Sequence, residues 1–301
     1  MINSKISVIM AVYNSEKFLS ESIESILNQT FRDFEFVIID DCSTDKSLGI
    51  IQKYSKKDDR IVVIENEKNL GCAKSRNKAL KVAKGKYIAI LDADDIALNK
   101  RLEIQYNFLE KNKNIFLVGG GTYEIDYKGK IIRRFLRITN SYLLKKRLIK
   151  KNCIYHSSIF FRNEKIYYRD KFIYSQDYDF FLILISMGKK LSNIQKPLIK
   201  YRISLGAISW SKFIKQQMFA EKAKEFYQQR LKYGKDEYDE FNENDILNLE
   251  NIPEKINLEK DMIIAKKIQD KDKFFIAFSK YAKKYGFFNR FLVYYITRKL
   301  F

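Results

Sequence analysis

Acidic residues gather where apolar runs end in the first hundred residues. Asp92 and Asp94 stand two apart after Tyr87–Leu91, the spacing that sets two side chains on one side of an extended chain. Two such carboxylates can hold one hard divalent cation, Mn2+ or Mg2+, whose remaining positions go to water and substrate phosphates. That chemistry suits a diphosphate. The competing role for Asp92 to Asp95 is capping of the helix that follows. A second acidic turn, Asp40-Asp41-Cys42-Ser43-Thr44-Asp45, follows the run Phe36–Ile39. An acid placed there can accept the imide N–H of a uracil or the hydroxyls of a ribose, while Ser43, Thr44 or Asp45 caps the next helix.

The elements that must position these groups alternate. Ile6–Val12, Phe36–Ile39, Ile61–Ile64 and Tyr87–Leu91 read as strands buried on both faces, and Glu16–Leu27, Ser47–Tyr54 and Cys72–Val82 read as helices between them. Repeated βα units predict a Rossmann-like parallel sheet, and ligands of such sheets bind beyond the carboxyl ends of the strands. After residue 100 the spacing predicts a helix over Arg101–Glu110, a strand at Ile115–Val118, and a hairpin turning at Asp126-Tyr127-Lys128-Gly129. A basic helix over Ser141–Lys151, an apolar strand over Ile154–Phe161 and a helix opened by Ser175 and running through Ile185 follow. The central sheet is therefore mixed, with helices on its faces. Gly119-Gly120-Gly121 lacks the GxxxxGK[ST] context of a phosphate loop and reads as a structural turn. From Ser211 onward helical periodicity dominates, which sets a boundary near residue 210: a catalytic domain over 1–210, with halves 1–100 and 101–210, and a helical region over 211–301.

Four ordered motifs resemble glycosyltransferase family 2: Ser7 to Asn14, the Asp40 to Asp45 turn, Asn69-Leu70-Gly71 with Ser75-Arg76-Asn77, and Leu91-Asp92-Ala93-Asp94-Asp95 followed by Arg101-Leu102. The resemblance continues through His156-Ser157-Ser158, Gln176-Asp177-Tyr178-Asp179 and Tyr201-Arg202, covering about residues 4–210. It implies a GT-A fold, a nucleotide-sugar donor, by family habit UDP-linked, a divalent metal, and transfer with inversion at the anomeric carbon. Carried over by position, Tyr13 and Asp41 contact the nucleobase, Arg76 the nucleotide, Asp92 the ribose or the metal shell, and Asp94 the metal. Asp177 matches the general base, with Asp179 as its rival, and His156 and Arg202 fall on the acceptor or diphosphate side. The sole histidine, His156, is also the kind of residue that packs structurally beside an apolar strand. Departures from the family pattern are Cys42 for a common Gly, Asn99 for a Pro, Gln176 for a Glu and Ser204 for a His. The expected activity is that of a bacterial enzyme extending a cell-surface glycan, lipopolysaccharide or capsule, or its lipid-linked precursor.

Composition narrows the alternatives. The 301 residues are 46% hydrophobic and 15% aromatic with 2 Pro and 11 Gly, which excludes a disordered, collagenous or linker-like chain. Cys42, Cys72 and Cys153 are too few and scattered for a disulfide framework, and a reducing, cytoplasmic setting is the natural reading. The first apolar run is about eight residues with no small-residue cleavage site after it, and no stretch reaches the ~18 apolar residues of a spanning helix. A soluble or peripheral protein is expected. The net charge is +20, distributed as +1 over residues 1–100, +14 over 101–210 and +5 over 211–301. A nucleic-acid binder would have no use for five aspartates at one sheet edge, where they repel phosphate. A sugar nucleotidyltransferase would need a glycine-rich basic loop after the first strand, and Tyr13-Asn14-Ser15-Glu16 is not one. The cations Arg133, Arg134, Lys145, Lys146, Arg147, Lys150 and Lys151 are expected to serve an anionic acceptor, or else to form a solvated face. Over 271–301 an aromatic stripe, Phe274, Phe278, Tyr281, Tyr285, Phe288, Leu292 and Tyr295, runs among eight basic residues and one acidic residue. It fits a helix lying on an anionic membrane surface, packing on the catalytic domain, or pairing with a second copy in a homo-oligomer.

Overall fold

A computed structural model describes residues 4–203, 210–248, 254, 257–259, 261–262 and 271–286. The chain divides into two compact units, Met1–Leu205 with Ala220–Phe241, and Gly206–Phe219 with Asn242–Phe301.

In the first unit the apolar runs form strands as their composition dictates. β1 (Ile6–Val12), β2 (Phe34–Asp40), β3 (Ile61–Glu65) and β4 (Tyr87–Ile90) are linked by α1 (Leu19–Leu27), α2 (Ser47–Ser55) and α3 (Cys72–Val82). All four strands are parallel, in the order β3-β2-β1-β4, with Val12 opposite Asp40 and Ile9 opposite Ile90. This register brings the carboxyl ends to one edge. Ile6, Val8, Met10, Phe36 and Ile38 on the strands and Leu19, Ile23 and Ile26 on α1 share one core, each almost wholly buried. Burying a side chain of that size stabilises the fold by about 1.5–3 kcal/mol.

Past β4 the sheet becomes mixed. The remaining elements are β5 (Ile96–Ala97), α4 (Arg101–Lys111), β6 (Leu117–Ile125), β7 (Ile131–Phe135), α5 (Ser141–Leu148), β8 (Phe160–Arg162), α6 (Gln176–Ser186), β9 (Leu191–Arg202) and α7 (Trp210–Tyr233). β8 lies antiparallel to β4 and β6, β9 runs parallel to β6, and β7 is an antiparallel edge on β6. The expected helix-flanked mixed sheet is therefore present.

Two local expectations are corrected. Gly119, Gly120 and Gly121 are not a turn but the middle of β6. A Cβ on Gly119 would stand 2.4 Å from Asn193 Oδ1, one on Gly120 2.5 Å from Leu198 Cδ1, and one on Gly121 2.6 Å from the Phe135 carbonyl. The absent side chains let β7 and β9 close on both sides of β6. The run Ile154–Phe161 does not form one strand either: His156–Ser158 is a turn of 3-10 helix, and only Phe160–Arg162 pairs. The turn has local causes. Ser158 Oγ donates to the Tyr155 carbonyl and accepts from the Gly120 N–H, pulling the chain out of the ladder.

In the second unit Phe274 and Tyr281, from the helix Lys271–Tyr285, are buried with Leu258 and Met262. These two members of the aromatic stripe face a core, while Phe275 and Ile276 are exposed. Phe288, Leu292 and Tyr295 lie outside the described residues. Among the described residues no helix is long and apolar enough to cross a membrane.

Candidate active site

The candidate site is built at the carboxyl edge of β1, β2 and β4. Tyr13 follows β1 and is half exposed. Asp41, next along after β2, is buried, and its N–H donates to the Val12 carbonyl at 2.8 Å. One Asp41 oxygen accepts from Asn66 Nδ2 and the Leu70 N–H, each at 2.8 Å, and the other accepts from the Gly71 N–H at 2.9 Å. A carboxylate offers about four acceptor positions, so these three bonds leave about one open. The same bonds fix Asn69-Leu70-Gly71, the loop that starts α3 and aims Arg76.

Arg76 is 5% exposed, and its Nη2 donates to Asp92 Oδ1 at 2.6 Å. Among the described residues its Nε and Nη1 are buried without a hydrogen-bond partner, a cost for a charged group. Asp92 is fixed from a second direction by its own N–H, which donates to Ser157 Oγ at 2.8 Å. Burial pushes the Asp92 carboxyl up, but the Arg76 guanidinium and the His156 imidazole outweigh it and hold Asp92 below the usual carboxylate range. His156 Nε2 meets the Tyr168 hydroxyl at 2.8 Å, and Nδ1 lies 3.8 Å from Asp92 Oδ1. Burial, and after it the Arg76 charge, hold the imidazole below its usual range.

That depression has a sign that can be read in solution. As pH falls through the ordinary histidine range, the unfolded chain binds the proton that the folded site refuses, so stability falls with pH. Thermal denaturation between pH 7.5 and 5.5 should show this, up to about 1.4 kcal/mol per pH unit, and His156→Gln should flatten it. An equal slope in both proteins would mean that another group is responsible.

Asp94 lies on the same side, where burial and then the Asp92 charge push its carboxyl up to about 6. Asp95 is fully buried, accepts from the Arg202 N–H at 2.9 Å, and has no hydrogen-bond partner on Oδ2 among the described residues. The Asp92 charge raises the proton affinity of Asp94, and both raise that of Asp95, surroundings that a hard cation relieves. Among the described residues no three His, Cys, Asp or Glu side chains are placed to hold a metal by themselves. The donor set fits Mn2+ or Mg2+ held through one or two carboxylates, with phosphate and water completing the shell.

On the other bank, Asp177 occupies the first turn of α6, and its Oδ2 accepts from Asn152 Nδ2 at 2.7 Å. Asn152 Oδ1 accepts from the Ile154 N–H at 3.2 Å, which fixes the way the amide faces. Asp177 is near enough for its charge to act on Arg76 and His156. Asp179 is elsewhere: it is fully buried, takes both Nε and Nη2 of Arg169, and Arg169 Nη1 reaches Asp236 at 2.8 Å. The rival carboxylate is a structural ion pair.

Arg202 is buried and spends its donors on the protein. Nε donates to the Asp94 carbonyl at 3.0 Å, Nη1 to the carbonyls of Asp126 and Tyr127 at 3.2 and 3.4 Å, and Nη2 to Glu21 Oε2 at 2.6 Å. Sequence reasoning missed Asn152, which is 25 residues from the acid it holds. It also missed Tyr168, which carries no motif; Ser157 lay inside a quoted motif but without a role.

A parallel βα half with an acidic carboxyl edge, joined to a mixed half, is the GT-A architecture. The profile of Glycosyl transferase family 2 matches residues 7–171. The chain belongs to glycosyl transferase family 2. It is 44% identical over 221 residues to an uncharacterised glycosyltransferase of Methanocaldococcus jannaschii, covering 71% of this chain and 76% of that one. It is 34% identical over 209 residues to the Escherichia coli UDP-Glc:alpha-D-GlcNAc-diphosphoundecaprenol beta-1,3-glucosyltransferase WfaP, covering 69% and 81%. The crystal structure of S. aureus TarS in complex with UDP matches the fold with a TM-score of 0.60 at 20% identity, over 93% of this chain and 91% of that one. TarS has also been crystallised with UDP-GlcNAc.

Proposed function

We propose that this glycosyltransferase moves a sugar with inversion from a UDP-sugar to a hydroxyl of a lipid-linked or polysaccharide precursor. The observation that carries the reading is the line of charges along the sheet edge: Arg76 and His156 both lie beside Asp92, and Asp177, turned by Asn152, is near enough for its charge to act on both of them. In this reading the free acceptor position of Asp41 takes the base N–H, Tyr13 lies against the base, and the two unpartnered donors of Arg76 take nucleotide oxygens. A Mn2+ or Mg2+ ion on Asp94, with Asp92 in its shell, would supply charge neutralisation of the departing diphosphate. Asp177 Oδ1, the oxygen not engaged by Asn152, takes the proton of the attacking hydroxyl. Neutral His156 sits between the two sides without adding charge. Support for the donor comes from the TarS complexes with UDP and UDP-GlcNAc, and for the acceptor from the diphosphoundecaprenol-linked substrate of WfaP. The setting proposed is the cytoplasmic face of a membrane, where such acceptors are extended.

A panel of UDP- and GDP-sugars, scored for metal-dependent nucleotide release with a GlcNAc-diphospholipid acceptor, tests this directly. Release of UDP from one member, dependent on Mn2+ or Mg2+ and on acceptor, is the expected result. Release from no UDP-sugar would sink the reading.

A further inference from the structure

A second charged locus lies outside the donor chemistry. Between Tyr127 and Lys151 there are ten Lys and Arg residues and no Asp or Glu. Most of these cations lie on the solvated surface, and Arg133 is spent on Glu124 at 2.5 Å. Arg137 differs. Its guanidinium lies 4.1 Å over the Tyr155 ring and 5.3 Å over the Phe135 ring, and its buried Nε has no hydrogen-bond partner among the described residues. Glu124, the nearest acid to influence it, is already bound by Arg133 and by the Tyr155 hydroxyl. Among the described residues Arg137 makes no ion pair, and neither does Arg147.

A half-buried guanidinium without an anion costs stability that stacking on two rings offsets only in part. Burial lowers its proton affinity, and the Arg147 charge acts in the same direction. Both cations lie close enough to act on the Cys153 thiol. Cys153 directly follows Asn152, the residue that holds Asp177. The Tyr178 hydroxyl donates to the Leu148 carbonyl at 2.8 Å, which ties the end of α5 to the first turn of α6. Arg147 precedes Leu148 and Asp177 precedes Tyr178, so each stands one residue from a member of this bond. Tyr155 in turn packs on Tyr201 at 4.9 Å between ring centres, continuing the wall toward the acidic edge.

We propose that Arg137 and Arg147 form an anion subsite that grips the diphosphate of a glycosyl-diphospholipid acceptor while its sugar hydroxyl lies at Asp177. This rests on the reading of the chain as a transferase with Asp177 as base, and it gives the acceptor a chemical class. The guanidinium fork matches two phosphate oxygens at once, and the stacked Arg137 is pre-oriented for it. Exposed Leu136, Tyr142 and Leu143 border the cations and offer apolar surface to the lipid portion.

The test titrates full-length protein with decyl diphosphate, below its micelle concentration and in excess Mg2+, with and without UDP. Wild type should bind it, and Arg137→Gln and Arg147→Gln should each weaken binding at least ~10-fold while UDP affinity and the circular dichroism spectrum stay as in wild type. Arg137→Lys, which keeps the charge and loses the fork, should fall between and guards against a folding defect in the glutamine variant. No binding by wild type, or unchanged binding by both glutamine variants, overturns the proposal. So does a loss confined to phosphatidylglycerol vesicles with decyl diphosphate binding intact, which would make the cations a membrane patch. Decyl diphosphate binding that depends on both arginines in a protein with no affinity for UDP would support the subsite and speak against the donor reading alone.

Discussion

Asp177→Asn is expected to lower turnover at least ~100-fold while leaving UDP affinity unchanged, the scale of a lost general base. The amide keeps the shape and can still accept from Asn152, but it has no lone pair basic enough to take a hydroxyl proton. Asp179→Asn should do the opposite. It breaks the buried pair with Arg169 and leaves Arg169 and Arg230 to share the single charge of Asp236, at a cost of about 3 kcal/mol or more in stability. Turnover of the protein that remains folded should stay near wild type. Single-turnover kinetics and thermal denaturation on both variants separate the outcomes. If Asp179→Asn loses turnover while Asp177→Asn keeps it, the base has been placed two residues too early.

For Asp94→Asn the expected result is loss of transfer to below ~1% of wild type, together with loss of the gain in UDP affinity that Mn2+ confers. The reasoning is electrostatic. Burial and Asp92 already hold the Asp94 carboxyl near 6, so the position favours a positive ligand, and a neutral amide gives up that preference. Chelation of wild type with EDTA should copy the variant and be reversed by added Mn2+, which the variant should not be. Calorimetry of UDP with and without Mn2+ reads the effect without relying on turnover. Equal Mn2+-dependent affinity in variant and wild type would remove Asp94 from the metal site.

The parallel half of this fold is legible in the sequence because its strands are buried on both faces. Ile6–Val12 and Cys72–Val82 coincide with observed elements, and β2 begins only two residues before its apolar run Phe36–Ile39. Legibility falls where the signal is interrupted or shared. β9, twelve residues long, carries Lys196-Pro197 in its middle, and the register with β6 shifts there, so no periodicity of two survives. The glycines of β6 resemble a turn because the reason for them, close approach of Asn193, Leu198 and the Phe135 carbonyl, lies on other strands. The acidic turns of the site were readable as sites because both follow buried parallel strands, whose carboxyl ends share one edge, although capping competed as their role. What could not be read was how their capacities are shared: the bonds of Asp41 to the Leu70-Gly71 loop and the hold of Asn152 on Asp177 are both long-range.

Arg202 holds the Asp126–Tyr127 hairpin turn only through main-chain carbonyls, and it holds the Asp94 carbonyl in the same way. A clasp made to carbonyls is indifferent to the side chains that carry them. Residues at the hairpin tip can therefore be exchanged over evolutionary time without disturbing the seat of Asp94, so long as the turn keeps its shape. The hairpin is thus a rim whose side chains can change while the acidic edge beneath it keeps its frame.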